Sequence, residues 1–312
     1  MHDQMLSMEP PMTSGTPAWH RPALVEETVA WLAPQPGATV VDGTLGTGGH
    51  SLAILPHLMP AGRLIAIDRD PHALELAQQR LIEFASQIHF VRENFLHLPE
   101  ILKCLQITQI NGLLADLGLS SLHVDVAQRG FSFQHSGPLD MRMDPDQSMT
   151  AASLLQRVSE AELVRILEIY GEERWARRIA RGIVTARRST PIDTTSHLAQ
   201  IIRGAVPRQA KSERLHPATR TFMALRIAVN DELANLEALL RALPELLAPQ
   251  GRAVIITYHS LEDRLVKRSF QAGARAGIFR LLTKKPVRPS EQELAENPRS
   301  RSAKLRAVER LP

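Results

Sequence analysis

The residues best suited to chemistry lie in two short stretches near the start of the chain. The first is Val40-Val41-Asp42 followed by the glycine-rich segment 43–50, and the second is Leu64-Ile65-Ala66-Ile67-Asp68. Each is an apolar run ending in a carboxylate, and a helix-like segment from Ser51 to Leu58 separates them. This layout is typical of a site for an adenosine-containing cofactor, because glycines let the backbone approach the ligand and the second carboxylate can accept both ribose hydroxyls.

The glycine-rich turn helps to choose between two such cofactors, NAD and S-adenosylmethionine. NAD sites favour Gly-x-Gly-x-x-Gly, with a helix N-terminus facing the pyrophosphate. Here Gly46-Thr47-Gly48 is followed by Gly49-His50-Ser51, so the third glycine of that pattern is missing. A carboxylate at Asp42 is unusual beside a pyrophosphate and suits a cationic ligand. The pattern favours S-adenosylmethionine over NAD, and a glycine turn without a ligand is the simpler alternative.

A third carboxylate, Asp116, ends the apolar run that starts at Gly112. In an open parallel sheet the reacting groups lie beyond the carboxyl ends of the strands, so we expect Asp116 beside the reactive end of the cofactor. An exocyclic amine on a base is a poor nucleophile because its lone pair is delocalised into the ring. A carboxylate that accepts one of its N–H bonds helps to localise that lone pair and orients it for attack on a methyl group. The alternative for Asp116 is a helix cap or a turn.

The cysteine content bears on which atom is methylated. Methylation at a pyrimidine carbon would need a cysteine nucleophile. The single cysteine, Cys104, precedes the fourth strand in apolar company, which predicts a core residue and favours N-methylation. One cysteine also excludes an intrachain disulfide framework and is typical of the reducing cytoplasm, where we expect the protein to act. The sequence lacks the Cys/His spacing of a zinc site, so no structural zinc is predicted and no metal ligand is assigned, while magnesium stays open.

Alternating strand and helix signals predict a mostly parallel sheet. These alternating signals cover residues 20–117 and resume at Glu232, whereas residues 150–202 lack any strand pattern. Within that interval, the capping box from Ser159 to Glu162 marks the start of a helix. Strands are predicted at Thr39–Asp42, Leu64–Asp68, His89–Arg92, Gly112–Asp116 and Arg252–Tyr258, with a last edge strand at Ser302–Glu309. No apolar run approaches the roughly 18 residues that a membrane-spanning helix needs.

Positive charge is concentrated in two places. Residues 284–310 hold eight lysines and arginines against four acidic residues, which equals the net charge of +4 for the whole chain. Between Glu172 and Arg188, a predicted helix carries arginines at i, i+3, i+4 and i+7, namely Arg174, Arg177, Arg178 and Arg181. Localised basic charge favours a polyanion such as RNA, and a solvated surface is the alternative.

Two aromatic residues, Phe131 and Phe133, lie in the polar loop Arg129-Gly130-Phe131-Ser132-Phe133. Aromatic rings in such a loop can stack on a base that has been taken out of a helix. They can equally anchor the loop on the core, so both roles stay open.

Eight motifs appear in order along the chain, and together they resemble one family. They are DGTLGTGGHS (42–51), AIDRDP (66–71), DLGLSS (116–121), RGFSF (129–133), GPLDMRMD (137–144), HPATRTF (216–222), HSLEDR (259–264) and NPRSRSAKLR (297–306). From about His20 to Arg310 the sequence is similar to the ribosomal RNA small-subunit methyltransferase H family, also called MraW. The resemblance implies S-adenosylmethionine-dependent methylation of N4 of a cytidine in the decoding region of 16S ribosomal RNA.

The resemblance also implies a fold, an α/β Rossmann-like class I methyltransferase core with a mostly parallel sheet and an inserted all-helical domain. Core segments are accordingly predicted over 18–125 and 216–312, the second with a basic C-terminal segment. Residues 1–17 are rich in Met, Pro, Ser and Thr and have no apolar core, which predicts a disordered tail. The helical domain is predicted over 126–215.

Specific contacts follow from the same resemblance. Cofactor contacts are implied at Gly48, Gly49, His50, Asp68 with the ribose, Phe95 beside the adenine, Asp116 and His123. At His123 this chain departs from the family, because many relatives have Ser-Ser-Pro-Gln where it has Ser120-Ser121-Leu122-His123. An imidazole can replace an amide in one hydrogen bond, not as donor and acceptor at once. Substrate contacts are predicted at Phe131 or Phe133 and at Arg299, Arg301 and Lys304.

The predicted partner is small-subunit ribosomal RNA or the assembled 30S particle, with no DNA or membrane partner. The sequence leaves open whether the chain is a monomer or a homodimer. Two rival functions belong to other classes: an RNA-binding ribosome assembly factor with a vestigial cofactor pocket, and an NAD-linked oxidoreductase.

Overall fold

The computed structural model describes residues 21–207 and 216–312. The predicted tail over residues 1–17 therefore lies outside the described residues. The strands are β1 (Thr39–Asp42), β2 (Arg63–Asp68), β3 (Ile88–Arg92), β4 (Ile110–Asp116), β5 (Leu247–Thr257), β6 (Phe279–Leu281) and β7 (Lys304–Arg310). They form one sheet in the order β3-β2-β1-β4-β5-β7-β6, in which the first five strands are parallel and β7 is antiparallel to both of its neighbours. This order confirms the predicted α/β class with a mostly parallel sheet.

Thirteen helices surround or extend the sheet in the described residues. They are α1 (Val25–Leu32), α2 (Gly49–Leu58), α3 (Pro71–Arg80), α4 (Leu98–Cys104), α5 (Ser121–Asp125), α6 (Ala151–Arg157), α7 (Glu160–Gly171), α8 (Ala176–Ala186), α9 (Thr195–Ala205), α10 (Ala218–Asn230), α11 (Glu232–Leu246), α12 (Ser260–Arg275) and α13 (Glu291–Glu296). None of these helices combines the length and apolarity needed to cross a bilayer.

Both faces of the sheet are covered, which explains why its strands read as continuous apolar runs. On one face α4, α11 and α12 pack over residues such as Val41 and Ile255. On the other, α1, α2 and α3 pack over residues such as Val40 and Val254. The strand ends are thereby held rigidly, and side chains that follow them are fixed in position.

A third buried cluster joins α6 to α10 and also includes loop residues such as Phe131 and Met141. We call it the helical cluster. It includes Phe222, Leu225 and Val229 of α10, so the helical packing continues beyond residue 215. The predicted capping box is present, because Ser159 Oγ accepts from the Glu162 N–H and the Glu162 carboxylate accepts from the Ser159 N–H. The domain boundaries themselves stay predictions.

Two expectations from the sequence are wrong. The C-terminal strand is not an edge strand, since β7 lies between β5 and β6, and the three-residue β6 was too short to leave a pattern. Cys104 is exposed rather than in the core, because Leu98, Ile101 and Leu102 form the buried face of α4 and Cys104 ends the helix on another side.

Candidate active site

A cavity opens where β1, β2, β4 and β5 end at their carboxyl edge. Its wall includes residues that directly follow each of these strands, among them Gly43, Arg69, Leu117 and Tyr258. The chain reverses its direction of strand addition between β1 and β4, and ligands of open α/β sheets bind at such a switch point. The cavity is therefore where the fold itself predicts a ligand.

The glycine turn after β1 is shaped by two left-handed residues, Gly46 (φ 53°) and Gly48 (φ 77°). A side chain at Gly49 would also collide with the ring of Pro22, because its Cβ would lie 2.7 Å from Pro22 Cγ. Gly46 and Gly49 line the cavity, whereas Gly48 is not part of its wall and packs against Leu81. With Gly43, the turn thus presents bare backbone to the cavity at three of its four glycines.

Asp68, at the end of β2, is held by the backbone on both of its oxygens. Gly46 N donates to Oδ2 at 2.8 Å and Asp70 N donates to Oδ1 at 2.9 Å. Burial raises the pKa of Asp68, while these two N–H bonds act in the opposite direction. A carboxylate has about four acceptor positions, so the oxygens keep capacity for a diol on the cavity side.

Asp42, at the end of β1, lies behind the glycine turn and is only 1% exposed. Ser51 Oγ donates to its Oδ2 at 2.7 Å and Thr44 N to its Oδ1 at 3.2 Å. Burial raises the pKa of Asp42. The expectation that this carboxylate meets a cationic ligand is not supported, since Asp42 is absent from the cavity wall and instead fixes the turn.

Asp116, at the end of β4, lines the cavity, and one of its carboxylate oxygens has no hydrogen-bond partner among the described residues. Its backbone N–H donates to Thr44 Oγ1 at 2.6 Å, and its Oδ2 lies 3.5 Å from His50 Nε2. Neither ring nitrogen of His50 nor Oδ1 of Asp116 has a hydrogen-bond partner among the described residues, although these atoms are buried. A buried polar atom without a partner is costly, so a ligand that donates to Asp116 Oδ1 would be favoured here.

Tyr258, just after β5, is a functional candidate that the sequence reasoning missed. Its ring packs on Gly118, where a Cβ would come within 2.6 Å of Tyr258 Cε2. Burial raises the pKa of the Tyr258 phenol well above its ordinary value, and the charge of Asp116 raises it further. The phenol therefore stays a hydrogen-bond donor beside Asp116. The signal was available, because Tyr258 ends an apolar run just as Asp42, Asp68 and Asp116 do.

His123 joins the cavity wall to a buried ion pair. Its Nε2 lies 3.3 Å from Asp70 Oδ2 and its Nδ1 lies 3.1 Å from Ser120 Oγ. Arg129 Nη1 donates to the same Asp70 oxygen at 2.8 Å. Burial would raise the pKa of Asp70, but the neighbouring His123 ring and the charge of Arg129 outweigh it and lower the pKa to about 2. Neither Asp70 nor Arg129 was assigned a role from sequence.

The cavity wall also includes two glutamates, Glu232 and Glu262. Arg226 pairs with Glu232 through two hydrogen bonds of 2.7 Å, and the Tyr258 N–H donates to Glu262 at 2.8 Å. Together with His259, these glutamates place three potential metal-ligand atoms within 4.8 Å of one another. His259 Nδ1 accepts the Glu262 N–H at 3.4 Å, however, so the neutral ring carries its proton on Nε2 and that nitrogen is unsuited to bind a metal.

Residues 17–311 match the model of the MraW methylase family. The chain belongs to the MraW methylase family. It is 50% identical to the ribosomal RNA small subunit methyltransferase H of Geobacter sulfurreducens, over 94% of this chain and 99% of the relative. The proteins of that name from Geotalea uraniireducens and Heliobacterium modesticaldum are 48% and 46% identical, over 94% of this chain and 98% of each relative. The resemblance predicted from the motifs is confirmed.

Among solved structures, this chain is similar to a putative rRNA-methylase from Clostridium thermocellum, with 11% identity and a TM-score of 0.46. The alignment covers 92% of this chain and 95% of the methylase.

S-adenosylmethionine is the cofactor of this MraW methylase, and the cavity residues suit it. The free acceptor positions of Asp68 match a ribose diol, and Phe95 lines the cavity beyond it with an aromatic ring. The bare turn at Gly46 and Gly49 leaves room for close approach. Of the seven predicted cofactor contacts, the structure brings Gly49, His50, Asp68, Phe95, Asp116 and His123 to one cavity.

The two predicted stacking residues of the methylase lie elsewhere. Phe131 is only 9% exposed and packs in the helical cluster, with its ring 4.9 Å from that of His123. Phe133 stacks on His216 at 4.6 Å and meets the edge of Phe222 at 4.9 Å. Neither ring lines the cavity. The structure thus supports their alternative role as anchors of the loop.

The three predicted basic contacts also lie outside the cavity wall. Arg299 donates to both oxygens of Asp125, at 3.0 and 2.5 Å, and Lys304 Nζ lies 3.5 Å from Asp263 Oδ2. Arg301 is exposed. Two of the three cations are therefore engaged with carboxylates of the methylase itself.

Proposed function

We propose that this protein transfers the methyl group of S-adenosylmethionine to the exocyclic N4 of a cytidine in the decoding region of small-subunit (16S) ribosomal RNA. The curated relatives carry the name of ribosomal RNA small subunit methyltransferases, which supports the substrate class. The observation that carries the chemistry is the buried, unpartnered Oδ1 of Asp116 at the end of β4. Such a substrate would place the protein in the cytoplasm.

Cytidine N4 suits this carboxylate because the amine has two N–H bonds and needs an acceptor to become nucleophilic. Asp116 Oδ1 would accept one N–H, and the backbone bond from Asp116 N to Thr44 Oγ1 keeps the strand end in place. The donating phenol of Tyr258 beside Asp116 limits the directions from which the amine can approach. Asp116 then acts by orientation and by receiving the proton that the amine releases after N–C bond formation.

When bound, S-adenosylmethionine supplies a methyl group on a sulfonium, which is activated for displacement. Asp68 would hold the ribose hydroxyls, and Phe95 would lie against the adenine. His50 and His123 line the same cavity. Gly49 leaves the backbone accessible. With these assignments the carboxyl edge of one sheet would hold both the methyl donor and the target amine, and such positioning can supply a large part of a rate enhancement.

The test is Asp116→Asn, which keeps the size of the side chain and removes its charge. Tritiated methyl transfer to small ribosomal subunits from cells that lack the protein should fall by about 10²–10⁴-fold, the usual contribution of general acid–base catalysis. Nucleoside analysis of the wild-type product should give N4-methylcytidine. The affinity for S-adenosylmethionine, measured by calorimetry, should change little.

Full turnover in Asp116→Asn would remove this carboxylate from the mechanism. A loss of cofactor binding in the same variant would instead assign Asp116 to the cofactor. If the wild-type protein binds S-adenosylmethionine but transfers no methyl group to any RNA, the rival assembly-factor function replaces this one.

A further inference from the structure

One face of α8 is exposed and strongly basic. Its buried side is formed by residues such as Ile179 and Ile183. The helix itself contains no acidic residue. Four exposed arginines lie just before the helix or in its first two turns, namely Arg174, Arg177, Arg178 and Arg181. We call these four the α8 stripe.

An aromatic ring orders part of the α8 stripe. The guanidinium of Arg174 lies 5.0 Å from the ring centroid of Trp175 and that of Arg178 lies 5.8 Å from it, on the scale of cation–π contacts. Arg181 Nε is 3.8 Å from Glu160, and such an exposed pair compensates little charge. The stripe therefore keeps its positive charge and presents two guanidinium groups in fixed places.

A second basic face runs along α12. Its exposed cations are Arg264, Lys267, Arg268 and Arg275, which we call the α12 stripe. The two acidic residues of this helix lie in its first turn, and both are occupied. The Asp263 carboxylate accepts a hydrogen bond from Arg306 at 2.7 Å. Burial would raise the pKa of Asp263, but Arg306 and Lys304 outweigh it and lower that pKa. The buried Glu262 carboxylate accepts the Tyr258 N–H.

The two stripes begin at the same place beside the cavity. Glu172, which ends α7 just before the α8 stripe, accepts from Ser260 Oγ at 2.9 Å and from Arg264 Nη2 at 2.9 Å. Ser260 starts α12, and its neighbours Tyr258 and Glu262 line the cavity. Both basic faces thus start at the rim near Asp116, the reactive end of the proposed site.

We infer that the α8 and α12 stripes together bind the RNA phosphates on the two sides of the target nucleotide. This inference rests on the proposed function, because a base that enters the cavity leaves its backbone at the rim where the two stripes meet. Arginine and lysine in such rows neutralise phosphates, and these contacts set the register of a strand without reading its sequence. The RNA strand continues in both directions from the flipped base, and one stripe is available for the phosphates on each side.

Paired substitutions test each stripe against a matched control. The variants are Arg174→Gln with Arg177→Gln on α8, and Lys267→Gln with Arg268→Gln on α12. The control is Arg63→Gln with Lys103→Gln, two exposed cations near the opposite edge of the sheet, at the start of β2 and in the last turn of α4. All three proteins lose two positive charges, so a general effect of net charge cancels.

Binding of a fluorescein-labelled single-stranded RNA is measured by anisotropy at increasing potassium chloride. Each stripe variant should bind about ten-fold more weakly than wild type at low salt, with a salt slope smaller by about 1 for each phosphate that the variant no longer neutralises. The control should bind like wild type. Calorimetric titration with S-adenosylmethionine verifies that each variant still folds a cofactor pocket.

Stripe variants that bind RNA as the control does would overturn the inference, and so would an effect confined to one of the two helices. The readout is independent of methyl transfer. A wild-type protein that binds RNA through both stripes but methylates none would contradict the proposed function and leave the surface assignment intact.

Discussion

At the scale of single residues, three aspartates at neighbouring strand ends have different surroundings and hence different capacities. Asp42 is enclosed by Ser51 and Thr44, and both of its oxygens are occupied. Asp68 is held by two backbone N–H groups yet reaches the cavity. Asp116 alone among the three has an oxygen without a partner in the described structure. The same side chain type therefore fixes a turn at Asp42, whereas in the proposed function it would accept a diol at Asp68 and an amine at Asp116.

The phenol of Tyr258 should contribute to turnover through Asp116. Tyr258→Phe keeps the ring on Gly118 and removes only the hydroxyl that neighbours the carboxylate. Because a hydrogen bond to a charged group is worth about 1.5–3 kcal/mol, we expect kcat to fall by about ten-fold or more, with little change in KM for the small subunit. Steady-state methyl transfer measures both constants.

The chain supplies a matched control for this change. Tyr170, the other tyrosine, packs in the helical cluster away from the cavity, and Tyr170→Phe should leave kcat near the wild-type value. A Tyr258→Phe protein with unchanged kcat would show that the hydroxyl plays no part in positioning Asp116.

The sequence predicts where these strand-end residues lie, but not which of them keeps a free carboxylate oxygen. Apolar runs ending at Asp42, Asp68 and Asp116 predict side chains at one sheet edge, because parallel strands end together. Which carboxylate stays free depends on contacts with Ser51 and with backbone N–H groups, and no pattern encodes those. The sequence leaves the choice between stacking and anchoring at Phe131 open for the same reason, since the helical cluster that buries this side chain is not visible in the sequence.

At the scale of elements, a buried ion pair fastens the loop after β4 to the start of α3. Asp70 caps α3 through its bond from the His72 N–H and also binds Arg129. Arg129 in turn donates to the carbonyls of Arg142 and Met143, each at 3.0 Å. Met143 lines the cavity. The end of β2 and the loop that closes the site are thus linked through one carboxylate.

This link should give a stability difference that depends on pH. The folded pKa of Asp70 is about 2, below the ordinary value of 3.8, so its contribution is present above pH 4 and is lost as pH falls toward 2. Asp70→Asn still caps the helix but lacks the charge. It should be less stable by about 2 kcal/mol at neutral pH, by urea unfolding, and should approach wild type near pH 2.

An exposed aspartate serves as the control for that series. Asp193→Asn changes a carboxylate on the surface and should leave the free energy of unfolding within about 0.5 kcal/mol of wild type. A difference between Asp70→Asn and wild type that stays constant from pH 7 to pH 2 would mean that the charge of Asp70 is not what fastens the loop.

Strands were predicted best where their central residues are apolar and buried. The predicted Thr39–Asp42 and Leu64–Asp68 agree with β1 and β2 to within one residue, because buried parallel strands are uniformly apolar. The three-residue β6 left no such pattern, and its place depends on the packing of Phe279 against Phe270 of α12. Packing between distant segments of this kind is what a single sequence does not display.

At the scale of the whole molecule, the cofactor cavity joins segments that are far apart in sequence. Its wall combines the ends of four strands with Met143 from the loop region and Glu232 at the start of α11. The helical cluster is coupled to the sheet at the same rim, through the bonds of Glu172 to α12. A ligand in this cavity contacts most of the elements whose packing defines the fold, so its binding energy should appear as global stability.

Heating the protein should therefore reveal the cofactor directly. At about 100 times its dissociation constant, S-adenosylmethionine should add roughly 2.7 kcal/mol, which raises the Tm by several degrees for a chain of this size. NAD at the same concentration should have no effect, because the turn lacks the third glycine of the pyrophosphate-binding pattern. Asp68→Ala should abolish the shift, since it removes the diol acceptor and the two bonds that order Gly46 and Asp70. An undiminished shift in Asp68→Ala would mean that the ribose is held by other groups, and an equal shift with NAD would remove the preference for S-adenosylmethionine that the cavity implies.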